Sequence, residues 1–144
     1  MGEMTKEAIE RDFWGIFHDG KIITAAGVVP GAVSLRIRIP YLRRMFPGEG
    51  EGFVVTLDAC SAISYQPFDE SATSVLSEIA LARPEILYLQ DSSSTIIDCA
   101  GGTLRMKYHA ATVALDSGEL VDYVQLVKAC ENYWDAWENR SNRS

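Results

Sequence analysis

The 144 residues predict an α+β, β-rich fold: an antiparallel sandwich or curved sheet of about seven strands, with a C-terminal amphipathic helix. Three observations carry that prediction. Val33 to Tyr41 reads Val-Ser-Leu-Arg-Ile-Arg-Ile-Pro-Tyr, with Val33, Leu35, Ile37, Ile39 and Tyr41 on one face and Ser34, Arg36 and Arg38 on the other. A period of two is that of a strand with one face on a core and the other in water. Turn signals recur every ten residues or so, about the spacing of short antiparallel strands. Near the C-terminus, Leu126, Val127, Cys130, Tyr133, Trp134 and Trp137 recur at helical spacing and make a broad apolar face.

Taken in order, Thr5 to Arg11 reads as a short helix, capped by Thr5 and carrying Glu7 in its first turn. Phe13 to Phe17 suits a strand as well as a helix. His18-Asp19-Gly20 is a turn signal. Lys21 to Val29 is a first strand, and Pro30-Gly31 turns it into the Val33 strand as a hairpin. Pro40 has no N–H for a ladder and marks that strand's end or an edge position, with Tyr41 to Phe46 continuing irregularly. Pro47 to Gly52 holds three glycines and reads as a flexible loop.

Phe53 to Cys60 is the next strand, with Phe53, Val55, Leu57 and Ala59 on one side; Ile63 to Tyr65 extends it after a bend. A helix capped by Asp69 or Ser71 runs to about Ala82, where Arg83-Pro84 stops it. Ile86 to Leu89 is a short strand, and Asp91 to Ser94 a turn. Thr95 to Cys99 and Thr103 to Tyr108 form a hairpin around Ala100-Gly101-Gly102. Ala111 to Leu115 is the last strand, and Asp116-Ser117-Gly118 turns out of it. The terminal helix runs from about Tyr123 to Glu138, with Asp122 and Gln125 spaced as a capping box. The reading is one domain over residues 1–138 and a disordered tail over 139–144.

Composition bounds the function. The chain is 47% apolar, enough for one core without staples. Its formal charge of -7 argues against generic nucleic-acid binding, which is driven by Lys and Arg neutralising phosphates, and suits a basic protein partner. No apolar run is long enough for a transmembrane helix, so no membrane partner is expected. The start lacks the pattern of a secretory signal and of a myristoylation site, so a cytoplasmic location is expected. Cys60, Cys99 and Cys130 are odd in number and widely spaced. They read as free, mostly buried thiols, not as a disulfide framework or zinc site.

Chemistry is sparse. His18-Asp19 sits in a turn, where functional groups are often presented, although Asp19-Gly20 also serves simply to turn the chain. Cys60 and Cys99 end strands and read as core residues. No metal-ligand spacing, phosphate loop, dinucleotide fingerprint or nucleophile elbow is present, so no catalytic residue, metal or cofactor is assigned. Arg36, Arg38, Arg43 and Arg44 form a basic cluster in which Arg36 and Arg38 share a strand face, suited to an anion or to a solvated outer surface. Tyr133, Trp134 and Trp137, among Glu119, Asp122, Glu131, Asp135 and Glu138, make either a recognition surface or an ordinary amphipathic helix.

Phe17-His18-Asp19-Gly20-Lys21-Ile22, followed by alternating strands, resembles small bacterial proteins with a Phe-His-Asp-small-x-Ile segment near the N-terminus. Some of these are immunity proteins of polymorphic toxin systems. Gly20 stands where Ala is more usual. The resemblance implies a cytoplasmic, acidic binding protein that blocks a toxin by masking its surface.

The leading expectation is therefore a non-enzymatic protein-binding module. The alternative is a small-ligand binder or modest hydrolase with a cavity in the β shell, using His18, Asp19 and Arg36 or Arg38. A third is a homo-oligomer that pairs through an exposed strand or the aromatic helix.

Overall fold

The computed structural model describes residues 13–91 and 95–141. The expected Thr5–Arg11 helix, Ser92 to Ser94 of the expected turn and residues 142–144 of the expected tail over 139–144 lie outside the described residues, and residues 139–141 of that tail continue the terminal helix to Ser141. Two antiparallel sheets and a C-terminal helix make an α+β, β-rich fold. Among the described residues the strands are β1 (Lys21–Gly27), β2 (Gly31–Arg38), β3 (Gly52–Cys60), β4 (Ala62–Pro67), β5 (Ile86–Asp91), β6 (Thr95–Cys99), β7 (Gly102–Lys107), β8 (Ala110–Leu115) and β9 (Leu120–Val121). The helices are α1 (Pro40–Arg43), α2 (Leu76–Ala82) and α3 (Tyr123–Ser141). A helical turn over residues 13–16 precedes β1, settling the ambiguous Phe13–Phe17 stretch as helix.

One sheet has the order β1-β2-β3-β8-β9 and the other β4-β7-β6-β5. β3 runs into β4 through Ser61 alone, and β7 into β8 through Tyr108 and His109. Ladder bonds cross this corner: Ser61 N–H to Lys107 O at 2.8 Å and His109 N–H to Asp58 O at 2.8 Å. A two-stranded ribbon thus bends from one sheet into the other. Ala59 makes the bend by taking φ +50°, the left-handed region an extra ladder residue often adopts. That step shifts the side-chain parity. Ala59, expected on the inner face, is exposed, and Cys60 turns inward in its place. At the opposite margin Ile22 N–H reaches Pro84 O at 3.0 Å and Ile86 N–H reaches Gly20 O at 2.8 Å, tying β1 to β5.

The inner faces meet in one cluster that draws Val33, Leu35, Ile37, Val55 and Leu57 from the first sheet and Ile63, Ile97, Leu104 and Met106 from the second. Each fully buried aliphatic side chain contributes roughly 1.5–3 kcal/mol. The alternation read in β2 is the observed one, with Val33, Leu35, Ile37 and Ile39 all inside.

Three local expectations are corrected. The segment after Ile39 does not continue the strand; Pro40 opens α1 as its first residue, where its fixed φ fits and its missing N–H costs nothing. The second helix starts at Leu76, not after Asp69 or Ser71. Thr73 exchanges two backbone bonds with Tyr65, each 2.9 Å, which holds that stretch extended. The count of strands rises because β4 joins the second sheet as a strand of its own and β9 adds a two-residue edge. No helix among the described residues is long and apolar enough to cross a membrane.

Arg43 departs furthest from its expected place in a solvated basic cluster. It is 1% exposed. Its Nε donates to Asp116 Oδ1 at 2.8 Å, and its terminal nitrogens donate to Pro47 O at 3.1 Å and Glu49 O at 3.0 Å. Asp116 Oδ2 in turn accepts the N–H groups of Glu51 at 2.7 Å and Gly52 at 3.1 Å. The Pro47–Gly52 loop, expected to be flexible, is wrapped on this pair. Its glycines serve close approach: a Cβ on Gly50 would collide with the Asp116 carboxylate, and one on Gly52 with the Ile37 carbonyl.

Burial alone raises the Asp116 pKa, but the Arg43 bond, the Glu51 and Gly52 amides and the Arg43 charge outweigh it and hold the carboxyl below its ordinary value of 3.8. The folded state therefore gains from ionised Asp116 above that value and loses the gain as pH falls through the lowered one. Asp116→Ala, leaving Arg43 buried without its counter-charge, should cost about 3 kcal/mol in denaturant unfolding at neutral pH. Gly50→Ala should cost about 1–3 kcal/mol alone and less in the Asp116→Ala background. Additive losses would show that the two do not meet.

Candidate functional site

The terminal helix begins as the spacing of Asp122 and Gln125 foretells. Gln125 N–H donates to Asp122 Oδ1 at 2.8 Å, and Asp122 N–H donates to Gln125 Oε1 at 3.0 Å. This reciprocal cap satisfies two otherwise orphaned amides. Leu126 and Ala129 are buried, with Val127 and Cys130 packed beside them. Beyond Cys130 the helix leaves the core. Glu131, Asp135 and Glu138 are exposed, Tyr133 is half-buried, and Trp134 and Trp137 remain 39% and 51% exposed.

These rings rest on Tyr41, in the second position of α1. The Tyr41 and Tyr133 rings lie 4.5 Å apart, and Trp134 meets Tyr41 at 6.2 Å and Tyr133 at 5.1 Å, both edge to face. Trp137 continues the series, 5.9 Å from Trp134. The Tyr41 hydroxyl donates to the His18 carbonyl at 2.6 Å. That bond joins the aromatic helix to the His18-Asp19 turn, two features read separately in the sequence.

The turn is itself fastened. Asp19 takes φ +70°, a region Asp tolerates better than most residues, and its N–H donates to Ile86 O at 2.8 Å. His18 Nδ1 lies 2.6 Å from Leu87 O. A carbonyl only accepts, so Nδ1 carries the proton. Nε2 then faces Asp19 Oδ1 at 3.4 Å. The imidazole is held by backbone, and among the described residues no thiol or hydroxyl is bonded to it.

Arg36 and Arg38 belong to a different place. They line a shallow cavity of about 160 Å³ with Glu51 and Asp116, and Arg38 Nε is paired with Glu51 Oε2 at 3.0 Å. Two carboxylates in its wall oppose an anion. A separate apolar groove of about 530 Å³ lies where β8, β9 and the start of α3 meet, between Phe13, Val113, Val121 and Leu126.

The cysteines are poor nucleophiles. Burial, then the Asp98 charge, pushes the Cys99 thiol up to about 12, and burial raises Cys60 and Cys130 as well. A thiol kept protonated is neither nucleophile nor metal ligand. Among the described residues no three or more His, Cys, Asp or Glu side chains gather as a metal needs.

The structure thus brings His18, Asp19, Tyr133, Trp134 and Trp137 to one surface and leaves Arg36 and Arg38 apart. Tyr41, which joins them, was read only as the ragged end of a strand. Its signal lay in Pro40, a favoured first helical residue. No protein-family model, curated protein or solved structure matches this chain.

Desolvation, then the charges of Cys130, Asp19 and Tyr133, raises the Tyr41 pKa well above its ordinary 10.0. The neutral phenol is the form the fold favours, so its contribution is complete below pH ~10 and is lost as pH climbs through the raised value. In a spectrophotometric titration Tyr41 should ionise last, after Tyr65 and Tyr88, whose values burial and the Asp98 bond respectively also raise. Tyr41→Phe should remove that late step and cost about 1 kcal/mol, the worth of its hydrogen bond. An unchanged late step would place the protected phenol elsewhere.

Proposed function

We propose that this protein is a non-enzymatic binding module that engages a basic protein partner through the Tyr133, Trp134 and Trp137 face of α3 and the adjoining His18-Asp19 turn. The observation that supports it most is the exposure of two neighbouring tryptophans on a helix whose outer half leaves the core. Tryptophan and tyrosine are the residues that most often dominate binding energy at protein interfaces. The charge of -7 favours fast, salt-sensitive association with a partner of opposite sign. Following the resemblance of the Phe17–Ile22 segment, the partner is a bacterial toxin domain and the mode of action is occlusion of its surface.

Binding of a small apolar molecule in the groove between Phe13, Val113, Val121 and Leu126 is the second reading. It predicts that removing Trp134 and Trp137 leaves function intact.

Affinity capture from the encoding organism at low salt, with wild type and the W134L/W137L variant side by side, tests the first reading. A stoichiometric partner should be retained by the wild type, released as salt rises, and lost from the variant. Equal recovery by both proteins, or no stoichiometric partner, contradicts it.

A further inference from the structure

The Tyr41 and Tyr133 ring planes lie 33° apart, while Trp134 meets its neighbours at steep angles. Trp134 stands 78° to Tyr133, 65° to Tyr41 and 73° to Trp137. The exposed faces of Trp134 and Trp137 at the outer end of this cluster carry the negative π density that attracts a cation. The Trp134 ring is packed against Tyr41, Tyr133 and Trp137 while it remains 39% exposed.

Among the described side chains of α3, the charges nearest Trp134 are carboxylates, while Arg44 stands three residues after Tyr41 at the end of α1. Glu131 and Glu138 stand three residues before and four after Trp134, which puts both within ~60° of it around the helix. Asp135 extends the same stripe. Asp19 adds a further carboxylate, in the turn whose His18 carbonyl accepts the Tyr41 hydroxyl. Among the described side chains of α3, Lys128 is the one cation, and its position is turned ~120° from Trp134. Trp134 therefore lies at the seam between the core-facing side of α3 and a stripe of carboxylates, and Trp137 continues the core-facing side beyond the point where the helix leaves the core.

We infer that the exposed end of this ring cluster is a receptor for a cationic side chain of the protein partner, an arginine guanidinium that stacks on Trp134 beside Trp137 while Glu131 and Glu138 accept its N–H groups. Arginine suits the site better than lysine. Its planar group stacks on a ring and still directs donors sideways to carboxylates. The inference rests on the protein-binding reading of the same surface and adds the chemistry of what is bound.

The probe is N-acetyl hexa-arginine amide, compared with the same peptide built from citrulline, which keeps the shape and loses the charge. Emission from Trp134 and Trp137 reports binding, since Trp14 is fully buried. Hexa-arginine should shift the emission saturably and the citrulline peptide should not. Trp137→Leu should weaken binding about three- to fivefold, in line with one exposed cation–π contact, and W134L/W137L, followed by peptide fluorescence anisotropy, about tenfold or more. Glu131→Gln with Glu138→Gln should weaken it and flatten its salt dependence.

Equal binding of the two peptides overturns the inference. So does undiminished binding of hexa-arginine to W134L/W137L, which would reduce the site to a diffuse acidic surface. W134L/W137L should keep the wild-type circular dichroism because leucine preserves an apolar group at the two half-exposed ring positions, and the Glu131→Gln, Glu138→Gln variant because both carboxylates are exposed. If W134L/W137L loses the natural partner while the two peptides bind alike, the docking surface stands and the cation assignment falls. If the peptides differ as expected but no partner is captured, the cation receptor stands and the protein-binding reading falls.

Discussion

A guanidinium with almost no exposed surface is costly to bury, and the Arg43 charge is balanced from several directions at once. Asp116 supplies the counter-charge, and the carbonyls of Phe46, Pro47 and Glu49 accept from the terminal nitrogens. Burying a charge is tolerable only with this degree of pairing. The consequence is positional. β8 ends at Leu115, one residue before Asp116, while α1 ends at Arg43. Their pairing sets α1 against the end of the first sheet and wraps the glycine loop around the junction.

What α1 carries makes this matter. Tyr41 sits two residues before Arg43, its hydroxyl on the His18 carbonyl and its ring under Tyr133. The buried ion pair thus stands behind the aromatic platform on which the outer half of α3 rests. A short helix of one turn has little stability of its own. Its Pro40 start and its Arg43 end, one entropic and one electrostatic, hold it where a strand pattern had seemed to continue.

The strands were the most legible part of the sequence. Val33, Leu35, Ile37 and Ile39 alternate because one face of β2 must be dry, and period two survives any topology. The Asp122 and Gln125 cap was equally plain, since both partners lie within one turn. What escaped was non-local. Arg43 and Asp116 are seventy-three residues apart, and nothing near Arg43 marks it as buried. The glycines around it suggested freedom, when Gly50 and Gly52 are instead required by crowding. Ala59 gave no sign of its left-handed turn, so the parity shift that bends the ribbon was invisible. The candidate surface was read as two unrelated fragments because the link between them, Tyr41, was assigned to the wrong element.

The dependence of the aromatic platform on the Arg43–Asp116 pair can be measured by amide hydrogen exchange in the wild type and Asp116→Ala. Opening of a local unit raises exchange throughout that unit and leaves the rest protected. The Glu51 and Gly52 amides should lose protection first, together with residues 41–46, and the change should reach Cys130 to Trp134 on α3 while β6 and β7 stay as they were. If only Glu51 and Gly52 change and α3 keeps its wild-type protection, the ion pair secures a loop and does not support the surface.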